Sequence, residues 1–256
     1  MLVTYQVHNR IAEIILDRPE KRNALSPQLI QELYDSFDKA EKDNAVKIVI
    51  LRSSGKTFCA GADLAYIQAM QSNTYEENLE DSQNLMRLFL KIYELPKVSI
   101  AQVEGAAIAG GCGLAFVTDF TFASEEAIFG YSEVNIGFIP ALVSVFLSRK
   151  VGESSTKYLL LSGLNITAQE AKQKNLVHEV YPTATIASDV LAFATMLVNQ
   201  KSANSLASTK KLIHQAPEKP LYEALQNAAE QNAIARDSED CKRGIQAFLN
   251  KQPIIW

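Results

Sequence analysis

The sequence has few of the residues on which several common kinds of site depend. Its 256 residues include three cysteines and three histidines, and 29 acidic residues outnumber 25 basic ones. Without a basic tract, nucleic acid is not an expected partner. The odd set of Cys59, Cys112 and Cys241 fits neither the spacing of a zinc site nor a disulfide framework. We predict that Cys59 and Cys112, in apolar glycine-rich segments, are small buried hydrophobic side chains rather than nucleophiles.

Long apolar runs are also lacking. No run approaches the roughly 20 residues that a membrane-spanning helix needs. Met1 leads directly into a segment of alternating apolar and polar residues, so we expect no signal peptide. These features predict a soluble, cytoplasmic protein. The apolar fraction of 47% and the length suit one large globular domain, and a net charge of −4 leaves room for local cations that bind phosphate.

What the sequence does contain is an alternation of strand and helix patterns. Residues 2–8 and 11–16 alternate around Asn9-Arg10, which predicts a hairpin. Ser26-Pro27 is typical of a helix start, and the helix is predicted to bury Leu29, Ile30, Leu33, Phe37 and Ala40. An apolar strand over 47–51 follows. This strand, helix and strand succession favours an α/β fold with a parallel sheet.

The rest of the chain continues this pattern and ends in helices. A long helix over 75–95 is predicted to bury Leu79, Leu85, Met86, Phe89, Leu90 and Tyr93. Further strands are predicted at 98–103, 120–123 and 176–180, with helices at 141–150, 153–161 and 167–174. Residues 183–250 are predicted to be helical, with breaks near 202, 217–220 and 238. We expect a core over 1–195 and a helical region over 196–256, whose apolar faces pack on the core or on another subunit.

Two segments of small residues follow predicted strands and point to chemistry. Glycines and alanines crowd 105–113, after the strand at 98–103, and a second such segment spans 53–64. Small residues let backbone amides approach a ligand closely. A helix that begins near Gly110 leaves its first amides without partners, so the two loops can donate two hydrogen bonds to one acyl oxygen as it gains charge. The alternative is a pair of tight packing turns.

Four motifs then resemble the enoyl-CoA hydratase/isomerase (crotonase) family. They are RPEKRNAL at 18–25, AGAD at 60–63, the run that begins VEG at 103–111, and FGYSE at 129–133. Their order and spacing match the family over essentially the whole chain. The resemblance implies a crotonase-like superhelix of repeated β-β-α units with a C-terminal α-helical region for trimerisation and active-site closure. It also implies a homotrimer or dimer of trimers, an acyl-CoA thioester as partner, and no cofactor, since coenzyme A is part of the substrate.

The resemblance also implies roles for individual residues. The amides of Ala62 and Gly110 match the oxyanion hole, and Glu133 matches the catalytic glutamate, which a dry pocket has to tune. Contacts to coenzyme A are expected from Lys21, Arg22, Ala24, Ala60, Ala62, Asp63, Leu64 and Gly110. Gly113, Tyr131, Phe138, Pro140 and Arg87 are expected to line the substrate pocket. Phe248 and Lys251 are expected to close the site of a neighbouring subunit.

The sequence departs from the best-known hydratases at Gly113, where they carry a second glutamate. One glutamate can still act first as base towards water and then as acid towards carbon, and it can also move a proton between two carbons. Segments 111–114 and 131–141 resemble the bacterial methylglutaconyl-CoA hydratase branch, whose substrate has a distal carboxylate that Arg87 or Arg149 is expected to face. The leading prediction is therefore hydration of a 2-enoyl-CoA. A Δ3-Δ2 isomerase and a non-catalytic CoA-thioester-binding scaffold remain as alternatives.

Overall fold

The computed structural model describes residues 1–256, except for the side chain of Leu64. The ten strands described are β1 Val3–His8, β2 Ile11–Leu16, β3 Ile48–Ser53, β4 Thr57–Cys59, β5 Val98–Val103, β6 Ala106–Ile108, β7 Phe120–Ser124, β8 Ile128–Gly130, β9 Asn165–Thr167 and β10 Glu179–Tyr181. The α-helices are α1 Pro27–Lys42, α2 Leu64–Met70, α3 Tyr75–Tyr93, α4 Gly110–Phe116, α5 Ala141–Ser162, α6 Ala168–Gln173, α7 Ile186–Gln200, α8 Ala203–Gln215, α9 Leu221–Asp237 and α10 Glu239–Leu249.

The strands form two sheets. The larger has the order β1-β2-β3-β5-β7-β10, and all neighbours are parallel except β1 and β2. The smaller has the order β4-β6-β8-β9, with β9 antiparallel to β8. A strand of the small sheet follows β3, β5 and β7 in turn, so the chain repeats a β-β-α unit that steps along both sheets. The parallel sheet predicted from the strand, helix and strand succession is confirmed.

Local sequence accounts for the first elements. Asn9 and Arg10 both have positive φ, 49° and 66°, the geometry that suits the twist of a two-residue hairpin. The Ser26 hydroxyl accepts a hydrogen bond from the Leu29 amide at 3.3 Å, and Pro27 begins α1. The five apolar residues predicted for the face of α1 are all buried. The predicted hairpin and the predicted face of α1 are therefore confirmed.

The predicted face of α3 is partly wrong. Leu79 and Met86 are 42% and 37% exposed, whereas Leu88 and Ile92 are fully buried beside Phe89. Only the C-terminal half of α3 faces the core against α1. The preceding part of α3 borders the cavity described below through Asn78, Asp81, Ser82 and Leu85, and neither Leu79 nor Met86 is among the lining residues.

Two strand predictions also need correction. The strand predicted at 176–180 begins at Glu179, because the Leu176 amide bonds back to the Ala171 carbonyl at 2.9 Å and closes the turn after α6. Strands β4, β6, β8 and β9 have three residues each, too few for a recognisable alternation. The helices predicted at 141–150 and 153–161 form α5, which is interrupted at Gly152 (φ 75°, ψ 173°).

The C-terminal helices differ in how they meet the core. The boundary predicted between residues 195 and 196 falls inside α7, which buries Leu197 and Val198 against the large sheet. In α9 and α10 no described residue is buried. No helix in the described part of the chain is long and apolar enough to cross a membrane.

Candidate active site

A cavity of about 690 Å³ lies where the two small-residue loops meet. We call it the candidate cavity. It is lined by residues between positions 60 and 85, by Ile108, Ala109 and Gly110, by residues between 132 and 143, and by Leu25 and Ile30. Most of these side chains are apolar, as is typical of a ligand pocket that positions its ligand with a few polar groups.

The floor of the candidate cavity is formed by two loops in close backbone contact. A Cβ added to Gly61 would lie 3.0 Å from the Ile108 carbonyl oxygen and 3.1 Å from the Ala109 Cβ. Gly61 has a φ of 88°, a conformation that an L side chain rarely adopts. The loop that contains Gly61 is also tied to Leu25, whose amide donates to the Gly61 carbonyl at 2.7 Å. The relative position of the two loops is thus fixed.

Two amides from these loops point to the same chemistry. Ala62 and Gly110 both line the candidate cavity, and within the described residues neither backbone N–H has an acceptor. Gly110 starts α4, so its N–H has no acceptor within the helix. Ala109 precedes it with φ 52° and ψ −121°, a conformation that costs energy for any residue with a Cβ. This arrangement can receive an oxygen atom that gains negative charge.

Glu133 supplies a carboxyl group in the same cavity. It begins a 3-10 helix over Glu133–Ile136, and its Oε2 atom is buried without a hydrogen-bond partner among the described residues. Burial raises the pKa of Glu133, and the hydrogen bond from its own backbone amide opposes this shift. A carboxyl group with a raised pKa and a free oxygen atom in a cavity can both take up and release a proton during a reaction.

The structure places Gly113 and Tyr131, two of the predicted pocket residues, in the buried core. Both are buried and neither lines the candidate cavity. A Cβ on Gly113 would lie 2.6 Å from Phe89 Cζ and 2.7 Å from Val143 Cγ1, so these two side chains fill the space that a side chain at 113 would need. Tyr131 is 2% exposed, and burial raises the pKa of its phenol well above the usual range.

Of the remaining predicted pocket residues, Phe138 and Pro140 line the candidate cavity. Arg87 does not, because it lies on the exposed side of α3 and donates a hydrogen bond to Asn84. Arg149 borders a different cavity and pairs with Glu218 at 3.2 Å. The structure therefore does not bring Arg87 or Arg149 to the lining of this cavity, and their contact with a distal carboxylate stays a prediction.

The residues predicted to contact coenzyme A lie near the cavity in different ways. Lys21 and Arg22 are exposed, and the Arg22 carbonyl accepts a hydrogen bond from Ala60, which lines the cavity. Ala24 is 7% exposed and is not a lining residue. The prediction for the side chain of Leu64 lies outside the described residues.

Asp63 has a structural role in addition to its predicted contact with coenzyme A. Its carboxylate accepts a hydrogen bond from the Ala65 amide at 2.9 Å, which caps α2, and pairs with Arg18 at 2.8 Å. Burial acts to raise the pKa of Asp63, but the bonds from Arg18 and Ala65 outweigh it and hold that pKa below its usual range. The side chain does not line the candidate cavity.

The cysteines behave as small hydrophobic residues, as predicted. Cys59 and Cys112 are buried and unbridged. Burial raises the pKa of Cys59 to about 12 and the pKa of Cys112 well above its usual range. Neither thiol can therefore supply a thiolate nucleophile near neutral pH.

The sequence analysis missed one polar pair in the candidate cavity. Tyr66 on α2 donates a hydrogen bond from its hydroxyl to the Asp81 carboxylate on α3 at 2.6 Å, and both residues line the cavity. Fifteen residues separate them, and no helical repeat relates positions on two different helices. The sequence carried no signal that singled out Asp81, because Glu76, Glu77 and Glu80 lie in the same half of α3.

Comparisons with known proteins agree with this geometry. A family model described as enoyl-CoA hydratase/isomerase matches residues 6–256. A Thermus thermophilus relative, whose name assigns it only provisionally to the enoyl-CoA hydratases, is 42% identical over 95% of this chain and 96% of its own length. The 2,3-dehydroadipyl-CoA hydratase of Escherichia coli K12 is 31% identical over 95% of this chain and 93% of its own.

Solved structures give the same result for the fold. An enoyl-CoA hydratase/isomerase from Marinobacter aquaeolei superimposes with a TM-score of 0.92 at 31% identity, covering 99% of this chain and 98% of its own. An enoyl-CoA hydratase from Shewanella pealeana has a TM-score of 0.93 at 28% identity, covering 100% and 96%. The crotonase fold expected from the sequence motifs is confirmed. The chain therefore belongs to the enoyl-CoA hydratase/isomerase family.

Proposed function

We propose that this protein adds water to the double bond of a 2-enoyl-CoA thioester. The observation that carries the proposal is the meeting of three groups in one cavity: the amides of Ala62 and Gly110 and the buried carboxyl oxygen of Glu133. None of the three has a hydrogen-bond partner in the part of the chain that the structure describes. Two amides suit a thioester oxygen, and one carboxyl group suits a proton that moves between water and carbon.

In the proposed mechanism the thioester oxygen accepts hydrogen bonds from the two amides. Glu133 takes a proton from water, and the water oxygen bonds to C3 as the electrons of the C2–C3 double bond move towards the thioester oxygen. Glu133 then gives its proton to C2. Loss of one amide donor would cost roughly 3–4 kcal/mol in the transition state.

The finer prediction of 3-methylglutaconyl-CoA as substrate, which would form 3-hydroxy-3-methylglutaryl-CoA in leucine degradation, rests on sequence resemblance. A distal carboxylate needs a cation or a strong donor close by. No lysine, arginine or histidine is among the described side chains that line the candidate cavity. We therefore propose an uncharged acyl group as the preferred substrate and keep methylglutaconyl-CoA as a substrate to be tested.

An absorbance assay with crotonyl-CoA, methylglutaconyl-CoA and 3-hexenoyl-CoA tests the proposal. Loss of the 2-enoyl absorbance of crotonyl-CoA or methylglutaconyl-CoA supports hydration, and no change with any thioester supports a scaffold. The Glu133→Gln variant is expected to lose at least ~100-fold in kcat, while its affinity for butyryl-CoA stays within a few-fold of wild type. If the variant keeps most of its rate, Glu133 is not the proton carrier.

Double-bond isomerisation is the second candidate, and the environment of Gly113 favours it. Phe89 and Val143 fill the space beside Gly113, so that position cannot supply a second carboxylate to hold the water. A single carboxyl group is enough to move a proton from C2 to C4 of a 3-enoyl thioester. Incubation with 3-hexenoyl-CoA separates the two reactions, because isomerisation produces 2-enoyl absorbance where hydration alone cannot.

We further propose a homotrimer or a dimer of trimers, in which the C-terminal helices pack on neighbouring subunits. In α9 and α10, large apolar side chains are more than half exposed, including Leu225 at 60%, Ile234 at 64% and Phe248 at 82%. Light scattering should give a mass of three or six times 28.3 kDa. A Phe248→Glu variant should shift that mass downwards, and a monomeric wild type would overturn the proposal.

A further inference from the structure

The polar pair Tyr66–Asp81 is the one charged feature of the candidate cavity that the proposed mechanism does not use. Tyr66 and Asp81 line the cavity together with Glu133, and the remaining described lining side chains carry no charge. The cavity thus holds two carboxyl groups and no cation among its described side chains. Apart from Glu133, which moves the proton, Asp81 is the only charged side chain among the described lining residues.

The Asp81 carboxylate is held in place rather than free to turn away. The Tyr66 hydroxyl donates to its Oδ1 at 2.6 Å, and this bond joins α2 to α3 across the cavity wall. Burial, followed by the neighbouring Asp81, raises the pKa of Tyr66 to about 12. The phenol therefore remains protonated and remains a donor near neutral pH. It positions the negative charge but does not cancel it.

A fixed negative charge in a partly dry cavity acts on the acyl group that enters. Two like charges repel, and the repulsion grows as water is excluded from between them. A neutral alkyl chain meets no such penalty and gains from the apolar lining, which includes Leu85 and Leu142. The difference between the two substrate classes arises from one side chain on α3.

From this geometry we infer that Asp81, positioned by Tyr66, is a specificity-determining residue that excludes acyl chains with a distal carboxylate. The inference rests on the proposed function, because it assigns the substrate class of the same site. It distinguishes this chain from the 2,3-dehydroadipyl-CoA hydratase of Escherichia coli K12, whose name specifies a dicarboxylic acyl group.

The test uses two thioesters with the same number of carbons. In 2,3-dehydroadipyl-CoA a carboxylate stands where 2-hexenoyl-CoA has a methyl group. Wild type should favour 2-hexenoyl-CoA by ~100-fold or more in kcat/KM, and Asp81→Asn should reduce this ratio by at least ~10-fold. The wild-type ratio should also fall as salt is raised from 0.05 to 0.5 M, and the ratio of the variant should respond less.

Two further variants separate charge from structure. Glu80→Gln removes a carboxylate from the adjacent, exposed position of α3 that does not line the cavity, so its ratio should equal that of wild type. Tyr66→Phe keeps the charge of Asp81 but removes the bond that positions it, so the kcat/KM ratio of this variant should fall between those of wild type and Asp81→Asn. If Asp81→Asn leaves the ratio unchanged, or abolishes turnover of both thioesters while the protein stays folded, the assignment is overturned.

A binding measurement keeps this inference distinct from the proposed function. Calorimetry with the saturated analogues hexanoyl-CoA and adipoyl-CoA needs no turnover. If wild type turns over neither enoyl thioester yet binds hexanoyl-CoA at least ~10-fold more tightly than adipoyl-CoA, and Asp81→Asn narrows that gap, then the catalytic proposal fails and the role of Asp81 stands. Equal binding of both analogues by wild type would reject the role of Asp81 whatever the activity.

Discussion

At the scale of single residues, Glu133 combines two properties that conflict in the free protein. Its carboxyl group reaches the cavity, where it can move a proton, and its Oε2 atom is buried with no partner among the described residues. An ionised group in that position is destabilised relative to water. Function at this residue is therefore expected to cost stability.

We predict that Glu133→Gln raises the melting temperature of the ligand-free protein at pH 8. Folding raises the pKa of Glu133 through burial. The cost of holding the charge is absent below the unfolded value, near ~4.3, and is complete above the raised folded value. The gain in melting temperature should therefore shrink as the pH falls through the folded pKa.

Melting curves for wild type and Glu133→Gln at several pH values between 5 and 8 check this prediction. Glu80→Gln is a control in which an exposed carboxylate is removed from α3. Its effect on the melting temperature should be small at every pH. A Glu133→Gln gain that does not depend on pH would point to packing rather than charge.

The absence of a Cβ at Gly113 leaves space that two neighbouring side chains occupy. Phe89 Cζ and Val143 Cγ1 would lie 2.6 Å and 2.7 Å from a Cβ at this position. We predict that Gly113→Ala lowers the free energy of unfolding by about 1–3 kcal/mol, because the core has no space for the added carbon. Denaturant unfolding measures the change.

Gly244→Ala provides a matched helical control for Gly113→Ala. A Cβ there would meet only the Trp256 ring, at 3.3 Å, a looser approach than the two contacts at Gly113. The higher helix propensity of alanine should then leave stability unchanged or raised by up to ~1 kcal/mol. Equal losses at both positions would contradict the explanation from packing.

At the scale of elements, a short capping pattern in the sequence predicted the start of helix α6 better than apolar periodicity predicted the buried face of helix α3. Thr167 begins α6 with its hydroxyl bound to the Glu170 amide at 3.2 Å, and the Glu170 carboxylate returns a bond to the Thr167 amide at 2.7 Å. Threonine and glutamate at this spacing are a local pattern that can be recognised without tertiary information. The start of α6 was predictable for that reason.

We predict that Thr167→Ala costs about 1 kcal/mol through loss of this cap. In a protein of this size such a loss corresponds to a drop of ~2–4 °C in melting temperature. Thr183→Ala is a suitable comparison, because the Thr183 hydroxyl is buried without a partner among the described residues. If both variants have the same melting temperature, the cap makes no measurable contribution to stability.

Features that depend on two elements at once were not predictable. The parallel sheet and the loops with Ala62 and Gly110 followed from local patterns and from the family motifs. The bond between Tyr66 and Asp81 joins α2 to α3, and the exclusion of Gly113 from the cavity depends on Phe89 and Val143. Contacts of this kind arise only when separate elements pack, so neither periodicity nor spacing reports them.

At the scale of the whole molecule, an ion pair joins the C-terminal helix α8 to the core. Lys210 is the only described buried residue of α8, and its Nζ pairs with Asp119 at 2.8 Å. Asp119 in turn accepts a hydrogen bond from the Ser99 amide at 2.8 Å, next to the first residue of β5. The ion pair therefore connects α8 to the large sheet.

We predict that Lys210→Ala lowers stability by about 3–5 kcal/mol, because it leaves the half-buried Asp119 charge without its partner. Lys211→Ala, at the exposed neighbouring position, should change stability by less than ~0.5 kcal/mol. Urea unfolding of both variants makes the comparison. The double variant Asp119→Asn with Lys210→Met should recover part of the loss, and a double variant as unstable as Lys210→Ala would weaken the explanation from charge.

The burial of two of the three cysteines has a practical consequence for observing the protein in solution. Cys59 and Cys112 are buried with raised pKa values, whereas Cys241 in α10 is partly accessible. A maleimide dye or nitroxide spin label added near pH 7 should therefore attach at one position per chain without any engineered mutation. A reporter on α10 could follow whether this helix moves when an acyl thioester is added.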